Sequence, residues 1–155
     1  PLKPGEFRSK EVPRLRYLAP NFILPDLGGK KIELRDYKGK VVFLNFWATW
    51  CQTCEDEMPS MEKLYQKFKG DSFEMLSISI DKEGSQAVAL YMKKYGLTFP
   101  ALLDPKSKVA KLYRTTGVPE TFIINKEGFI IHKVIGPRTW DTEESFIAFN
   151  NLIHL

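Results

Sequence analysis

The sequence predicts an α/β fold in which a central mixed β-sheet is flanked by helices on both faces. The run at 41–47, apolar at every position except Asn45, indicates a strand that is buried on both sides. Segments with strand and helix character then alternate along the chain, which is typical of parallel strands joined by helical crossovers. A predicted β-hairpin and a last helix follow, so the sheet also contains antiparallel strands.

The size and charge of the chain indicate one domain with a basic N-terminal arm. With 155 residues, the chain can enclose a full core but is too short for two ordinary domains. Much of the net charge of +4 lies near the start of the chain. We expect residues 1–18 to form a flexible basic arm and residues 19–155 to form the domain. The sequence shows no basic stripe on a recognisable nucleic-acid-binding fold, so nucleic acid is not an expected partner.

The first elements of the domain form a predicted β-hairpin. Its strands are expected at Phe22–Leu24 and Lys31–Leu34, joined by a turn at 26–29. Gly28 and Gly29 are expected to supply the positive φ angles that a tight turn needs.

The remaining elements follow from apolar periodicity and from the glycine and proline residues that interrupt it. Apolar residues repeat at spacings of three and four from Met58 to Phe68, which predicts a helix over 51–69. Further strands are expected at 73–80, 101–103, 121–125 and 129–135. Further helices are expected at 85–95 and 104–113. The last helix is expected to be capped by Asp141, with Glu144 as its capping-box partner.

The only two cysteines, Cys51 and Cys54, lie where the central strand is expected to lead into the first helix. At a helix N-terminus, free amide groups and the helix dipole favour the thiolate of Cys51. Cys54 returns to the same side of the helix one turn later, close enough to close a small disulfide ring. The pair is therefore predicted to perform thiol–disulfide exchange, with Cys51 attacking and Cys54 resolving. Half of a zinc site and a purely structural bridge are the alternatives.

A second motif, Gly117–Phe122, places Pro119 just before a predicted strand. Together with the Cys-x-x-Cys, it resembles the thioredoxin superfamily, which implies a thioredoxin-like fold. The resemblance implies that Pro119 is cis and packs against the cysteines, and that the backbone of Val118 pairs with a substrate chain. Trp50, beside Cys51, is a further expected substrate-binding residue.

The resemblance narrows to the extracytoplasmic thiol:disulfide oxidoreductases of the TlpA, ResA and CcmG (DsbE) group. It rests on Trp47–Cys54, Glu57, Ala19–Phe22 and Gly117–Phe122. The long interval between the two motifs leaves room for the strand–helix unit that this group inserts. The resemblance implies a reductant in the periplasm, or anchored to a membrane and facing outside, acting on protein disulfides. It further implies apocytochrome c as substrate, in cytochrome c maturation, and a membrane thiol-reducing electron donor.

No cofactor and no metal are implied by this resemblance, and a monomer is expected. A signal peptide or anchor would lie upstream of Pro1, outside the sequence.

Two polar residues near the cysteines have open roles. Thioredoxins proper carry a buried aspartate where this chain has Asn45, which is therefore predicted to be a hydrogen-bonded buried amide. Glu57 matches the acidic residue of the ResA and CcmG group and is predicted to be a catalytic residue that accepts the Cys54 proton. The alternative is that Glu57 only complements the helix dipole. Acidic residues at 55–57 should also raise the pKa of Cys51, which predicts a reduction potential below about −200 mV.

Three other functions compete with this one. A general extracytoplasmic disulfide reductase without a cytochrome link is the nearest alternative. A copper-binding or delivery module with His132 as a ligand is an alternative from a different class. A peroxiredoxin is excluded, because Ala48 and Leu44 replace the threonine and proline expected three and seven residues before the attacking cysteine.

Overall fold

The computed structural model describes residues 17–155. Its strands are β1 (Tyr17–Leu18), β2 (Ile23–Pro25), β3 (Lys31–Glu33), β4 (Val41–Trp47), β5 (Phe73–Ser79), β6 (Ala101–Leu103), β7 (Glu120–Ile124) and β8 (Phe129–Ile135). Its helices are α1 (Gln52–Phe68), α2 (Ser85–Lys94), α3 (Lys108–Leu112) and α4 (Glu143–His154), with a 3-10 helix at Leu34–Tyr37.

The strands form a six-stranded mixed sheet in the order β1-β8-β7-β4-β5-β6 and a separate hairpin of β2 and β3. β4 lies in the middle, parallel to β5 and antiparallel to β7. β6 extends the parallel side, whereas β8 and β1 extend the antiparallel side. The predicted mixed sheet is therefore confirmed. None of the helices within residues 17–155 combines the length and the apolar character that crossing a bilayer requires.

β4 divides the core into two layers, because its successive side chains point to opposite faces of the sheet. Helices α1, α2 and α4 cover one face, where Phe43 packs edge-on against Trp140. Helix α3 and the β2–β3 hairpin cover the other face, where Phe46 contacts the rings of Tyr113 and Phe122. Every residue of β4 is buried, which accounts for a sequence that is apolar at every position except Asn45.

The N-terminal boundary and the hairpin turn differ from the sequence-based expectation. Tyr17 and Leu18, assigned to the arm, form β1 and pair with the start of β8. Residues 1–16, the rest of the predicted arm, lie outside the described residues. In the hairpin turn, Gly29 has a positive φ of +87° but Gly28 does not. The Asp26 carboxylate accepts the Gly28 amide at 2.9 Å and holds the turn from within.

The helix predicted at 104–113 is shorter in the structure and begins at Lys108. The Asp104 carboxylate accepts hydrogen bonds from the amides of Val109 and Ala110, at 3.2 and 2.9 Å. Asp104 therefore satisfies two of the first amides of α3 from outside the helix. Residues 105–107 form the turn between Asp104 and the start of α3.

The last helix is capped by Thr142, so the prediction of Asp141 as its cap was wrong. Thr142 Oγ1 accepts a hydrogen bond from the Ser145 amide at 3.1 Å. Aspartate and threonine are both good N-cap residues. In the structure α4 begins at Glu143, which places Thr142 at the N-cap.

Candidate active site

The two cysteines lie at the junction of β4 and α1 and form a disulfide with a Cα–Cα distance of 5.3 Å. Cys51 is the N-cap residue of α1, and its Sγ accepts a hydrogen bond from the Cys54 amide at 3.2 Å. Cys54 is fully buried, whereas Cys51 retains 7% of its accessible surface. Cys51 is therefore the sulfur that a partner can reach. Its position at the positive end of the helix dipole favours its thiolate after reduction.

The turn before Cys51 carries one exposed aromatic side chain. The Cys51 amide donates to the Ala48 carbonyl at 3.2 Å, which closes the turn over 48–51. Within this turn Trp50 is 66% exposed, so an indole lies in the residue next to the disulfide. Thr49 instead bonds inward, because its amide and hydroxyl both donate to the Asp81 carboxylate. The turn therefore combines an anchored backbone with an exposed ring.

The loop that precedes β7 lies against the disulfide. Its Val118–Pro119 peptide bond is cis, which confirms the expectation from the sequence. The Val118 carbonyl oxygen lies 3.7 Å from Cys51 Sγ. The structure thus brings three of the predicted site residues, Cys51, Val118 and Pro119, to one place.

Glu57 lies inside the protein on α1, one turn after Cys54, with 1% of its surface exposed. Its Oε2 accepts hydrogen bonds from the Arg138 amide at 2.8 Å and from Trp140 Nε1 at 3.0 Å. Its Oε1 accepts a hydrogen bond from Asn45 Nδ2 at 3.1 Å. Burial raises the pKa of Glu57 from its ordinary value of 4.5 to about 7, and the three hydrogen bonds oppose this rise. A carboxyl group with this pKa can both take up and release a proton near neutral pH.

The prediction that Asn45 is a satisfied buried amide is met only at its Nδ2, which donates to Thr121 Oγ1 at 2.9 Å as well as to Glu57, whereas its buried Oδ1 accepts no hydrogen bond from residues 17–155. Asn45 therefore links β4, β7 and α1 beneath the disulfide. The helix-dipole alternative for Glu57 does not account for its three hydrogen bonds, because this residue is the sixth of α1 and is buried.

Four residues near the site were not found by sequence reasoning: Asp81, Glu120, Arg138 and Trp140. Arg138 and Trp140 follow β8 and reach Glu57 from more than 80 positions away along the chain. The Glu120 Oε2 accepts the Thr116 amide at 2.8 Å and supports the loop that carries Val118. Glu120 directly follows Pro119 in the second motif. An acidic residue at the start of a predicted buried strand could have indicated that Glu120 supports the site.

His132, the candidate copper ligand, is buried on β8 and lies opposite Ile123 of β7. Across residues 17–155, no group of three or more His, Cys, Asp or Glu side chains is arranged to hold a metal ion.

A disulfide at a strand–helix junction, facing a cis-proline loop on a mixed sheet covered by helices, defines a thioredoxin-like thiol–disulfide oxidoreductase. The chain belongs to the AhpC/TSA family, whose sequence model matches residues 15–133.

Individual relatives agree with this assignment. The chain is 43% identical over 143 residues to the thiol-disulfide oxidoreductase ResA of Bacillus cereus (strain ZK / E33L), covering 92% of this chain and 82% of that protein. It is 46% identical over 135 residues to ResA of Bacillus subtilis (strain 168), covering 87% and 73% respectively.

A solved structure extends the agreement to the fold. The crystal structure of a thioredoxin-family thiol:disulfide interchange protein from Chlorobium tepidum TLS matches with a TM-score of 0.75 at 27% identity. The match covers 88% of this chain and 97% of that chain. The predicted thioredoxin-like fold and oxidoreductase activity are therefore confirmed.

Proposed function

We propose that the protein is a disulfide reductant that works outside the cytoplasm, with the haem-attachment cysteines of apocytochrome c as its substrate. The observation that carries the proposal is an accessible Cys51 bonded to a buried Cys54, one helical turn from Glu57. The relatives named thiol-disulfide oxidoreductase ResA support the general activity. The cytochrome link and the location rest on the resemblance of the two motifs to the TlpA, ResA and CcmG group.

In the reduced protein, the Cys51 thiolate attacks one sulfur of the substrate disulfide, forms a mixed disulfide and releases the other substrate sulfur as a thiolate. Cys54 then attacks Cys51 Sγ, which releases the second substrate sulfur and re-forms the Cys51–Cys54 bond. Two electrons pass to the substrate. A membrane thiol-reducing protein is the proposed donor that returns them.

The resolving step requires Cys54 to lose its proton, because the thiolate is the nucleophile. Glu57 is the proposed acceptor, since its pKa of about 7 leaves part of the carboxylate ionised at neutral pH. Its hydrogen bonds from Asn45 and Trp140 fix the carboxylate within the protein, on the same helix as Cys54 and one turn after it.

The two loops around Cys51 supply the proposed substrate contacts. Trp50 offers an exposed ring on one side. On the other side, the backbone of Val118 lies next to Cys51 Sγ and can pair with an extended substrate chain. Pro119 completes this loop as the third proposed substrate-binding residue.

Trapping with the Cys54→Ser variant tests this function. Reduced Cys54→Ser protein should attack a substrate disulfide and remain linked to it through Cys51, because no second thiol resolves the adduct. The matched control, Cys51→Ser, should form no such adduct. Non-reducing electrophoresis and mass spectrometry measure both outcomes. An adduct formed only by Cys51→Ser would reverse the roles of the two sulfurs.

The choice of substrate tests the cytochrome link. One oxidised peptide contains the Cys-x-x-Cys-His of a c-type haem site, and a control peptide has the same composition in scrambled order around the same cysteine pair. We expect faster adduct formation with the haem-site peptide. Equal rates would favour the general extracytoplasmic reductase. If the protein reduces insulin and binds no copper in a titration, the copper-delivery alternative is excluded.

A further inference from the structure

Asp81 is a buried carboxylate that the proposed reaction does not use. It lies two residues beyond the end of β5 with 2% of its surface exposed. Its Oδ1 accepts the Thr49 hydroxyl at 2.6 Å, and its Oδ2 accepts the Thr49 amide at 3.0 Å. Its Oδ2 also accepts the Ser79 hydroxyl at 2.6 Å. Thr49 and Ser79 thus direct three donors at the Asp81 carboxylate. We call Thr49, Ser79 and Asp81 together the Asp81 clamp.

The clamp ties the turn before the disulfide to the neighbouring strand. Hydrogen bonds to an ionised group are about twice as strong as neutral ones. The Ile80 amide adds a bond to the Trp47 carbonyl at 2.9 Å, so the chain on either side of the turn is also fixed. Thr49 has both its backbone amide and its side chain held, and the next two residues are Trp50 and Cys51. The orientation of these two residues therefore depends on the clamp.

We propose that Asp81 is a positioning residue that acts through Thr49 to hold Trp50 and Cys51 in one arrangement toward a polypeptide substrate. This inference rests on the proposed reductant function. A polypeptide must contact the indole of Trp50, the backbone of Val118 and the sulfur of Cys51 together, so its reaction depends on how the turn is oriented. A small disulfide needs only access to the sulfur. Loss of the clamp therefore affects the two kinds of substrate differently.

Three single variants test the clamp. Asp81→Asn keeps the size of the side chain but leaves one oxygen to accept in place of two. Thr49→Val keeps the branched shape and the amide but removes the hydroxyl donor. Thr49→Ser keeps both donors and serves as the conservative control. All three are made in the full chain, and circular dichroism with thermal unfolding confirms that each is folded.

The readout is the ratio of two rates: kcat/KM for insulin reduction and the second-order rate of reaction with the aromatic disulfide DTNB. We expect Asp81→Asn and Thr49→Val to lower the insulin value about tenfold, from the loss of bonds to a charged group. Their DTNB rates should stay within about twofold of the parent, because Cys51 keeps its place at the helix N-terminus. Thr49→Ser should restore the parental ratio. The double variant Asp81→Asn/Thr49→Val should be no worse than the more severe single variant, because both remove one interaction.

Other results overturn the proposal. If both substrates slow by the same factor in the clamp variants, the clamp only stabilises the fold. If insulin reduction stays at the parental rate, Asp81 does not position the turn. If Asp81→Asn fails to fold, the comparison of Thr49→Val with Thr49→Ser decides by the same ratio. A parent that reduces neither substrate would overturn the proposed function itself, which distinguishes that failure from failure of the clamp.

Discussion

The two faces of the central sheet are built by the same strands but bury different groups. The difference is seen in residues 42–47 of β4 and 76–79 of β5, neighbouring strands in which 44–47 pair with 76–79. The face covered by α1, which we call the site face, receives from them Phe43, Asn45, Trp47, Ser77 and Ser79. The opposite face, which we call the apolar face, receives Val42, Leu44, Phe46, Leu76 and Ile78. Apart from Glu74, which pairs with Val42 near the start of β5, the polar side chains of β4 and β5 thus lie on the face that carries the disulfide.

Two of the three polar residues on the site face bond to carboxylates near the disulfide, whereas Ser77 donates to the Pro100 carbonyl at 2.9 Å. Asn45 donates to Glu57, and Ser79 donates to Asp81. Burying a polar group costs free energy unless it is hydrogen-bonded, so these positions are favourable only because the carboxylates are present. The apolar face contributes close packing alone. The comparison indicates that the site face serves the chemistry and the apolar face holds the fold.

A cavity in the apolar face should give the largest change in stability. Phe46 is fully buried and contacts the rings of Tyr113 and Phe122. Phe46→Ala should lower the free energy of unfolding by about 3–5 kcal/mol, through lost burial and the cavity left behind. Insulin reduction per folded molecule should fall by a smaller factor than the folding equilibrium constant, because the truncation leaves the hydrogen bonds of Glu57 and Asp81 in place, even though Phe46 pairs with Glu120 beside Pro119. Urea unfolding and the insulin assay measure the two effects. Lost activity with unchanged stability would break the division between the faces.

Glu57→Gln should change how stability depends on pH. The pKa of Glu57 rises from 4.5 in the unfolded chain to about 7 in the fold, so the neutral form is favoured in the folded state. Below pH 4.5 both states are protonated and no penalty arises. As the pH rises from 4.5 to 7, the unfolded chain ionises first and the fold loses about 3 kcal/mol relative to the glutamine variant. Urea unfolding of both oxidised proteins at pH 4 and pH 8 measures this difference.

The same variant separates the catalytic and structural roles of Glu57. Glutamine cannot take the Cys54 proton, so resolution of a preformed mixed disulfide should slow near neutral pH and lose its dependence on a group with a pKa of about 7. Stopped-flow measurement of product release gives the rate. An unchanged pH–rate profile, together with the expected change in stability, would leave Glu57 with a structural role alone.

The smallest effect is expected at the start of α4, which covers the site face at a distance from its polar groups. Thr142→Ala should lower stability by about 1 kcal/mol through loss of the cap to the Ser145 amide. The matched control Asp141→Ala should cost less than about 0.5 kcal/mol, because Asp141 makes only an exposed ion pair with Lys63 at 3.5 Å. Neither should alter disulfide reduction. A larger loss in Asp141→Ala would restore Asp141 as the effective cap.

The strands and the cysteine motif could be predicted because their signals are local. β6 and β8 match the predicted ranges, and β4 follows directly from its apolar run. β4 is buried on both faces, and its composition already reveals this. Cys51 and Cys54 needed only their spacing and the strand before them. The cis bond at Pro119 came from the resemblance, because a sequence alone favours the trans form.

The support of the site could not be predicted because its partners meet only in the fold. Trp140 reaches Glu57 across 83 positions, and its hydrogen bond leaves no local pattern. In the sequence, Asp81 is an acidic residue after a strand, which is a common arrangement. Its partner Thr49 is evident only from the packing of the turn against β5. Thr142 and Asp141 are both suitable caps by residue type. Only the position at which α4 begins in the structure shows that Thr142 is the cap.

The burial of Cys54 determines how the protein meets its partners. Because Cys51 alone is accessible, a thiol that reduces the disulfide has to approach the same sulfur that a substrate disulfide meets afterwards. The electron donor and the electron acceptor therefore compete for one surface, bounded by Trp50 and Val118, and cannot occupy it together. Turnover is then of the ping-pong type, in which each partner leaves before the next arrives. We therefore expect an excess of either proposed partner to slow the other half of the cycle.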